Sequence, residues 1–139
     1  MGRWAVKYRI PLILTSFLPF IVGKEVSRRE GIYGIFGKWN AVVSLISLNY
    51  WIFYTPSLKV VDVVNATLAI TTHMGYVIFY RRPYDRFTII YLGMGCSGIF
   101  CFYKSQTEKS NRKWRAVAYH TTFHIIGNLA NYILYNYTS

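Results

Sequence analysis

Acidic residues are scarce in this chain. Five Asp and Glu stand against sixteen Lys and Arg in 139 residues, a formal net charge of +11. A soluble protein with that balance would point to nucleic acid. Here the bases lie in short connections between apolar runs, and no nucleic-acid motif is present. The expected contacts are instead anionic lipids such as cardiolipin, or acidic partner subunits. Cysteine is nearly absent too. Cys96 and Cys101 are the only two, five apart in one apolar run, so they fall on different faces of a helix and a disulfide between them is not expected. Internal repeats and low-complexity tracts are missing, which excludes solenoids and leaves one domain over residues 1–139. The basic start "MGRWAVKYRIPLILTSF" has no small-residue cleavage site after its apolar run and does not read as a removable signal peptide. Val6 lacks the hydroxyl expected of a myristoylation signal.

Charge of either sign makes up only 15% of the chain, while hydrophobic residues make up 53%, a segregation that decides the class. Long apolar runs separated by charged turns predict an all-α integral membrane protein. Four spans are expected, at roughly 39–58, 60–80, 87–103 and 115–137. Residues 10–23, with Pro11 and Pro19, read as a short apolar helix and a possible fifth span. Lys59 and Asp62 are expected to mark a tight turn, "RRPYDR" at 81–86 a second, and "KSQTEKSNRK" at 104–113 a hydrophilic loop. Tyr and Trp cluster near run ends, as at Trp39, Tyr54, Tyr80, Tyr103 and Trp114, in the manner of an interfacial belt. Basic residues place the N-terminus on the positive side by a narrow margin.

Several spans carry polar stripes at helical period. In the last one these are His120, His124, Asn128, Asn131 and Tyr135. In the 60–80 span they are Asp62, Asn65, Ala69, Thr72 or His73, and Tyr76. In the 39–58 span they are Asn40, Ser44, Ser47, Trp51 and Thr55. "GMGCSG" at 93–98 offers small residues for close helix packing. Unsatisfied polar groups are costly in hydrocarbon, so the stripes should turn inward or toward another subunit. His73 and His124 each lie about ten residues from the same side of the bundle, which suits axial ligation of a b-type haem or a hydrogen-bonded network. His120 and His124, at i and i+4, can grip one metal ion, with Asp62 on the same side.

Two resemblances follow. Residues 39–87, "WNAVVSLISLNYWIFYTPSLKVVDVVNATLAITTHMGYVIFYRRPYDRF", are similar to the membrane-anchor (cytochrome b) subunits of succinate dehydrogenase. His73 stands at the haem-ligating histidine of that family, Tyr84 and Asp85 at its pair near the quinone site, and Gly75 at a nearby small residue. The resemblance implies haem b or ubiquinone, and a mitochondrial inner-membrane subunit of a respiratory hetero-oligomer that anchors its partners without catalysing a reaction by itself. The second resemblance is to alkaline-ceramidase-like membrane hydrolases. Their pattern is Ser-x3-His, an Asp about eleven residues later, and His-x3-His in the last span. Ser47, Trp51, Asp62, His120 and His124 fall at those places in that order. Trp51 replaces one metal ligand, and the chain is two spans shorter. This resemblance implies a zinc site at His120, His124 and Asp62. A lipid or ion carrier built on the polar interior is a third expectation.

Overall fold

The computed structural model describes residues 5–81, 83–108 and 111–138. Met1–Trp4 of the basic start, Arg82 of the second turn and Lys109 and Ser110 of the hydrophilic loop lie outside the described residues. Six helices run along the chain: α1 (Val6–Thr15), α2 (Leu18–Val26), α3 (Ile32–Phe53), α4 (Pro56–Tyr80), α5 (Arg86–Thr107) and α6 (Lys113–Tyr137). There is no strand among the described residues. Three stretches are long and apolar enough to cross a membrane: Val6–Val26, Pro56–Tyr80 and Arg86–Thr107.

The first of these is longer than the short element expected at 10–23 and agrees with its reading as a possible further span. Only Ser16 and Phe17 separate α1 from α2, and both keep right-handed helical backbone, so the two helices together make one 21-residue passage. Proline does not stop it. Pro19 sits at the start of α2, where a missing N–H costs nothing. The hydroxyls of Thr15 and Ser16 donate to the carbonyls of Pro11 and Leu12, at 2.8 and 2.6 Å. Helices α3 and α6 are long, at 22 and 25 residues, but fall outside the apolar set. Their polar stripes lower the average.

A correction concerns the first turn. Thr55 caps α4 by accepting from the Leu58 N–H at 3.3 Å, and Pro56 pre-sets the first helical residue. Lys59 and Asp62 are therefore inside α4, and the reversal is confined to Tyr54–Thr55. Tyr54 takes the left-handed conformation, at φ 55°, to end α3. At the other end Gly31, at φ +88°, opens α3 in a conformation that L side chains rarely adopt. Helix α5 also runs further than expected, through Thr107.

Two arginines tie the ends together. The Arg9 guanidinium donates to the Trp51 and Ile52 carbonyls at 3.0 and 3.2 Å and lies over the Tyr54 ring. Arg29 donates to the Tyr135 carbonyl at 2.8 Å. Each satisfies carbonyls that the end of a helix leaves open and meets the negative end of its dipole. Backbones approach most closely between α2 and α3. A Cβ on Gly23 would lie 2.5 Å from the Gly37 carbonyl oxygen, and one on Gly37 would lie 2.7 Å from the Ser27 nitrogen. The glycines of "GMGCSG" pack less tightly. Gly98 leaves ordinary contact distance to Phe123, Gly95 faces the Met74 thioether, and Gly93 faces open space. Large apolar side chains such as Ile21, Leu45, Val60, Leu68 and Phe79 point outward. Asn40, Ser44, Asp62, His73, His120 and Asn128 are buried. An apolar exterior around a polar interior is the pattern of a protein solvated by lipid.

Candidate functional site: a polar collar on an internal cavity

Helix α4 packs on α3, touches α5 only sparsely, and faces α6 across a cavity of about 100 Å³. The cavity runs from Asp62 and His120 at one end to Tyr91 and Ala130. Ten residues of α6 cover that distance, roughly 15 Å at helical rise. One side is apolar, from Ala66, Ala69 and Ile70 of α4 and Gly98, Ile99 and Phe102 of α5. The other carries the stripes of α3 and α6. A second, smaller cavity of about 30 Å³ shares Asp62 and His120 and leads to Lys59 and Gln106 at the end of the bundle.

The collar between these cavities is built from five helices, α1, α3, α4, α5 and α6. The Ser47 hydroxyl donates to the Asp62 carboxylate. Trp51, one turn beyond Ser47, packs edge-on against His120 with ring centroids 5.3 Å apart. His120 and His124 lie 4.8 Å apart at right angles. His124 Nδ1 lies 2.7 Å from the Thr15 hydroxyl, which also reaches the Pro11 carbonyl at 2.8 Å. His120 Nδ1 meets the Ser105 hydroxyl at 3.4 Å, and that hydroxyl donates to the Phe102 carbonyl at 2.6 Å. Neither Nε2, nor the second Asp62 oxygen, has a hydrogen-bond partner among the described residues. The collar thus gathers one carboxylate and two imidazoles.

His73 is placed differently. Its Nδ1–H donates to the Ala69 carbonyl at 2.7 Å, and its Nε2 accepts from the Tyr135 hydroxyl at 2.6 Å. Phe36 stacks on the ring at 4.1 Å. His73 and His124 line the same cavity, but both His73 nitrogens are engaged, and the narrow cavity has no room for a macrocycle. The residues do not fit a haem held between these two histidines. Tyr84 and Asp85 do not line the cavity. The Tyr84 hydroxyl donates to the Ile78 carbonyl at 2.7 Å, and Asp85 caps α5 by accepting from the Thr88 N–H at 2.7 Å.

Zinc fares no better. Catalytic zinc takes three protein ligands and a water. No group of three His, Cys, Asp or Glu is arranged to hold a metal ion among the described residues. His120 and His124 supply two ligands, Asp62 is held by Ser47, and the corner nearest His120 is filled by an indole.

The periodicity of the sequence pointed to Ser47, Asp62, His120, His124 and Tyr135, and the structure brings the first four together. Thr15 and Ser105, which meet the Nδ1 atoms of His124 and His120, are lone hydroxyls in apolar runs and carry no sequence signal of their own. The remaining stripe is a seam. Asn131 donates to Asn40 at 3.4 Å, and the Trp39 indole donates to Asn65 at 3.1 Å. Fold and site together define an all-helical protein, with helices able to cross a membrane, that encloses a cavity with a carboxylate and two imidazoles at one end. Comparison with protein-family models, curated proteins and solved structures gives no match.

Proposed function

We propose that this chain is a five-pass integral membrane protein that binds a small amphiphile with a hydrogen-bond-donating head, such as a short-chain amine. The observation that carries the reading is the buried Asp62 carboxylate, beside His120 and His124, at one end of a largely apolar cavity. A protonated amine pairs with the carboxylate, and a short hydrocarbon tail suits the wall formed by α4 and α5. Helices α3 and α6 complete the five crossings. Their length suffices, and the polar groups that lower their hydropathy face the cavity or the seam beside it. The gathering of Ser47, Trp51, Asp62, His120 and His124 at one end supports a ceramidase-like arrangement. With two histidines and an indole in place of a third ligand, the site binds rather than cleaves. An anchor subunit of a mitochondrial respiratory complex, holding haem b or ubiquinone, draws no comparable support, because Tyr84 and Asp85 lie away from the cavity.

The test is titration of butylamine into the purified chain in detergent, with butanol as the control. Saturable binding of the amine is expected, and Asp62→Asn should weaken it about tenfold by removing a charged acceptor. Equal binding by Asp62→Asn, or no saturable binding by the wild type, would overturn the reading. In parallel, Trp51→His places a third imidazole beside His120 and should bring stoichiometric zinc into the protein. Absence of zinc in that variant would show that the Trp51 position does not correspond to a ligand corner.

A further inference from the structure

The first turns of α1 and α6 meet at the collar end of the bundle and leave a recess between them of about 350 Å³. We propose that this recess binds the phosphate group of an anionic phospholipid. Arg112, Lys113 and Arg115 line it together with Tyr8 and Trp114. Trp114 meets the Tyr8 ring edge-on at 4.8 Å. That ring also gathers two ammonium groups, with Nζ of Lys7 at 5.0 Å and Nζ of Lys113 at 5.6 Å from its centroid. Four cations are thereby drawn to one spot. The acidic group paired there is Glu108, which reaches Arg112 and Arg115 at 3.9 Å each. Four positive charges against one carboxylate repel one another until an anion joins them. Arginine forks and lysine ammonium groups are the donors that phosphate oxygens take.

The surroundings select a lipid as the source of that phosphate. Val6 and Ile10 in the first turns of α1 are exposed, and Trp114 is itself 55% exposed. An indole and a phenol at this depth mark the headgroup level of a bilayer, where phosphate sits above and acyl chains below. The site rests on the five-pass reading, which puts the recess at the membrane face, and is independent of the amine titration of the cavity.

The experiment uses the full chain in phosphatidylcholine nanodiscs doped with phosphatidylglycerol, with retained lipid counted by native mass spectrometry. Lys113→Gln with Arg115→Gln should lower retention of phosphatidylglycerol about 25-fold, at about fivefold per cation removed. The same two-charge change at the opposite end, Arg28→Gln with Lys38→Gln, should leave retention within about twofold of wild type. Equal loss in both double variants would reduce the effect to overall charge and overturn the site. Inorganic phosphate in millimolar excess should not displace the lipid, and displacement would assign the recess to soluble phosphate instead. The charge-preserving pair Lys113→Arg with Arg115→Lys retains the lipid if the site is real, and its failure while folded would overturn the proposal. That pair also keeps the question decidable if the glutamine variant does not fold.

Discussion

Helices α2 and α3 are joined by a short connection, and so are α4 and α5, yet the two pairs meet in opposite ways. Between α2 and α3 the contact is backbone on backbone, with Gly23 against Gly37 and no room for a methyl group. Between α4 and α5 the contact is sparse and made by a flexible side chain, the Met74 thioether over Gly95. Close approach leaves no interior, and the loose pair borders the cavity. The difference teaches that this bundle separates its duties. One pair of helices packs tightly, and the other leaves space and a yielding wall beside it.

Substitutions break that comparison in order of size. Gly37→Ala drives a Cβ into the Ser27 nitrogen and the Gly23 oxygen, both rigid backbone atoms. It should cost about 3 kcal/mol, read as a loss of unfolding free energy in detergent micelles. An unchanged unfolding curve would mean the α2–α3 contact is not the clamp. Tyr135→Phe comes next. It removes the hydroxyl that bonds His73 directly from α6 and leaves a buried imidazole nitrogen without its donor. The expected loss is about 2 kcal/mol. A neutral result would show that α4 and α6 are not joined through this pair. Gly95→Ala is the loose counterpart of Gly37→Ala. Its new methyl group meets only the far end of Met74, at 3.2 Å from the sulfur. Stability should change by less than about 1 kcal/mol, because methionine turns aside easily. A loss matching that of Gly37→Ala would erase the distinction between the two pairs.

The smallest effect concerns pH at the start of α5. The Thr88 backbone N–H holds the Asp85 carboxyl below the ordinary carboxylate range, with help from the Thr88 hydroxyl and the Arg81 charge. A folded value below the unfolded one stabilises above the unfolded pKa, near about 4, and that contribution is lost as pH falls through the folded value. Asp85→Asn keeps a cap but does not titrate. Its melting temperature should lack a slight acid-side decline that the wild type shows below about pH 4. Identical acid limbs would remove Asp85 from the account.

Much of the site was legible because helical period converts spacing into a shared face. Ser47, Asp62, His120 and His124 could be placed at one end of a bundle from the order of the spans. Proline misled at the N-terminus, since Pro11 and Pro19 argue for a break that local hydroxyl bonds and a first-turn position absorb. Glycine misled as well. "GMGCSG" looks like a packing motif, whereas the tight contact belongs to two isolated glycines, because what a glycine admits depends on the backbone facing it.

The class of the molecule lies in the sequence alone. Apolar runs of bilayer length, charges clustered between them and inward polar stripes follow from composition and period, through the cost of placing polar groups in hydrocarbon. Only the tertiary structure decided which hydroxyl each histidine meets and where Trp51 stands relative to His120. It also decided that Arg9 and Arg29 close the ends of helices 42 and 106 residues away. Those facts depend on which neighbour a side chain meets across the bundle, and periodicity along one helix contains no information about the helix that faces it.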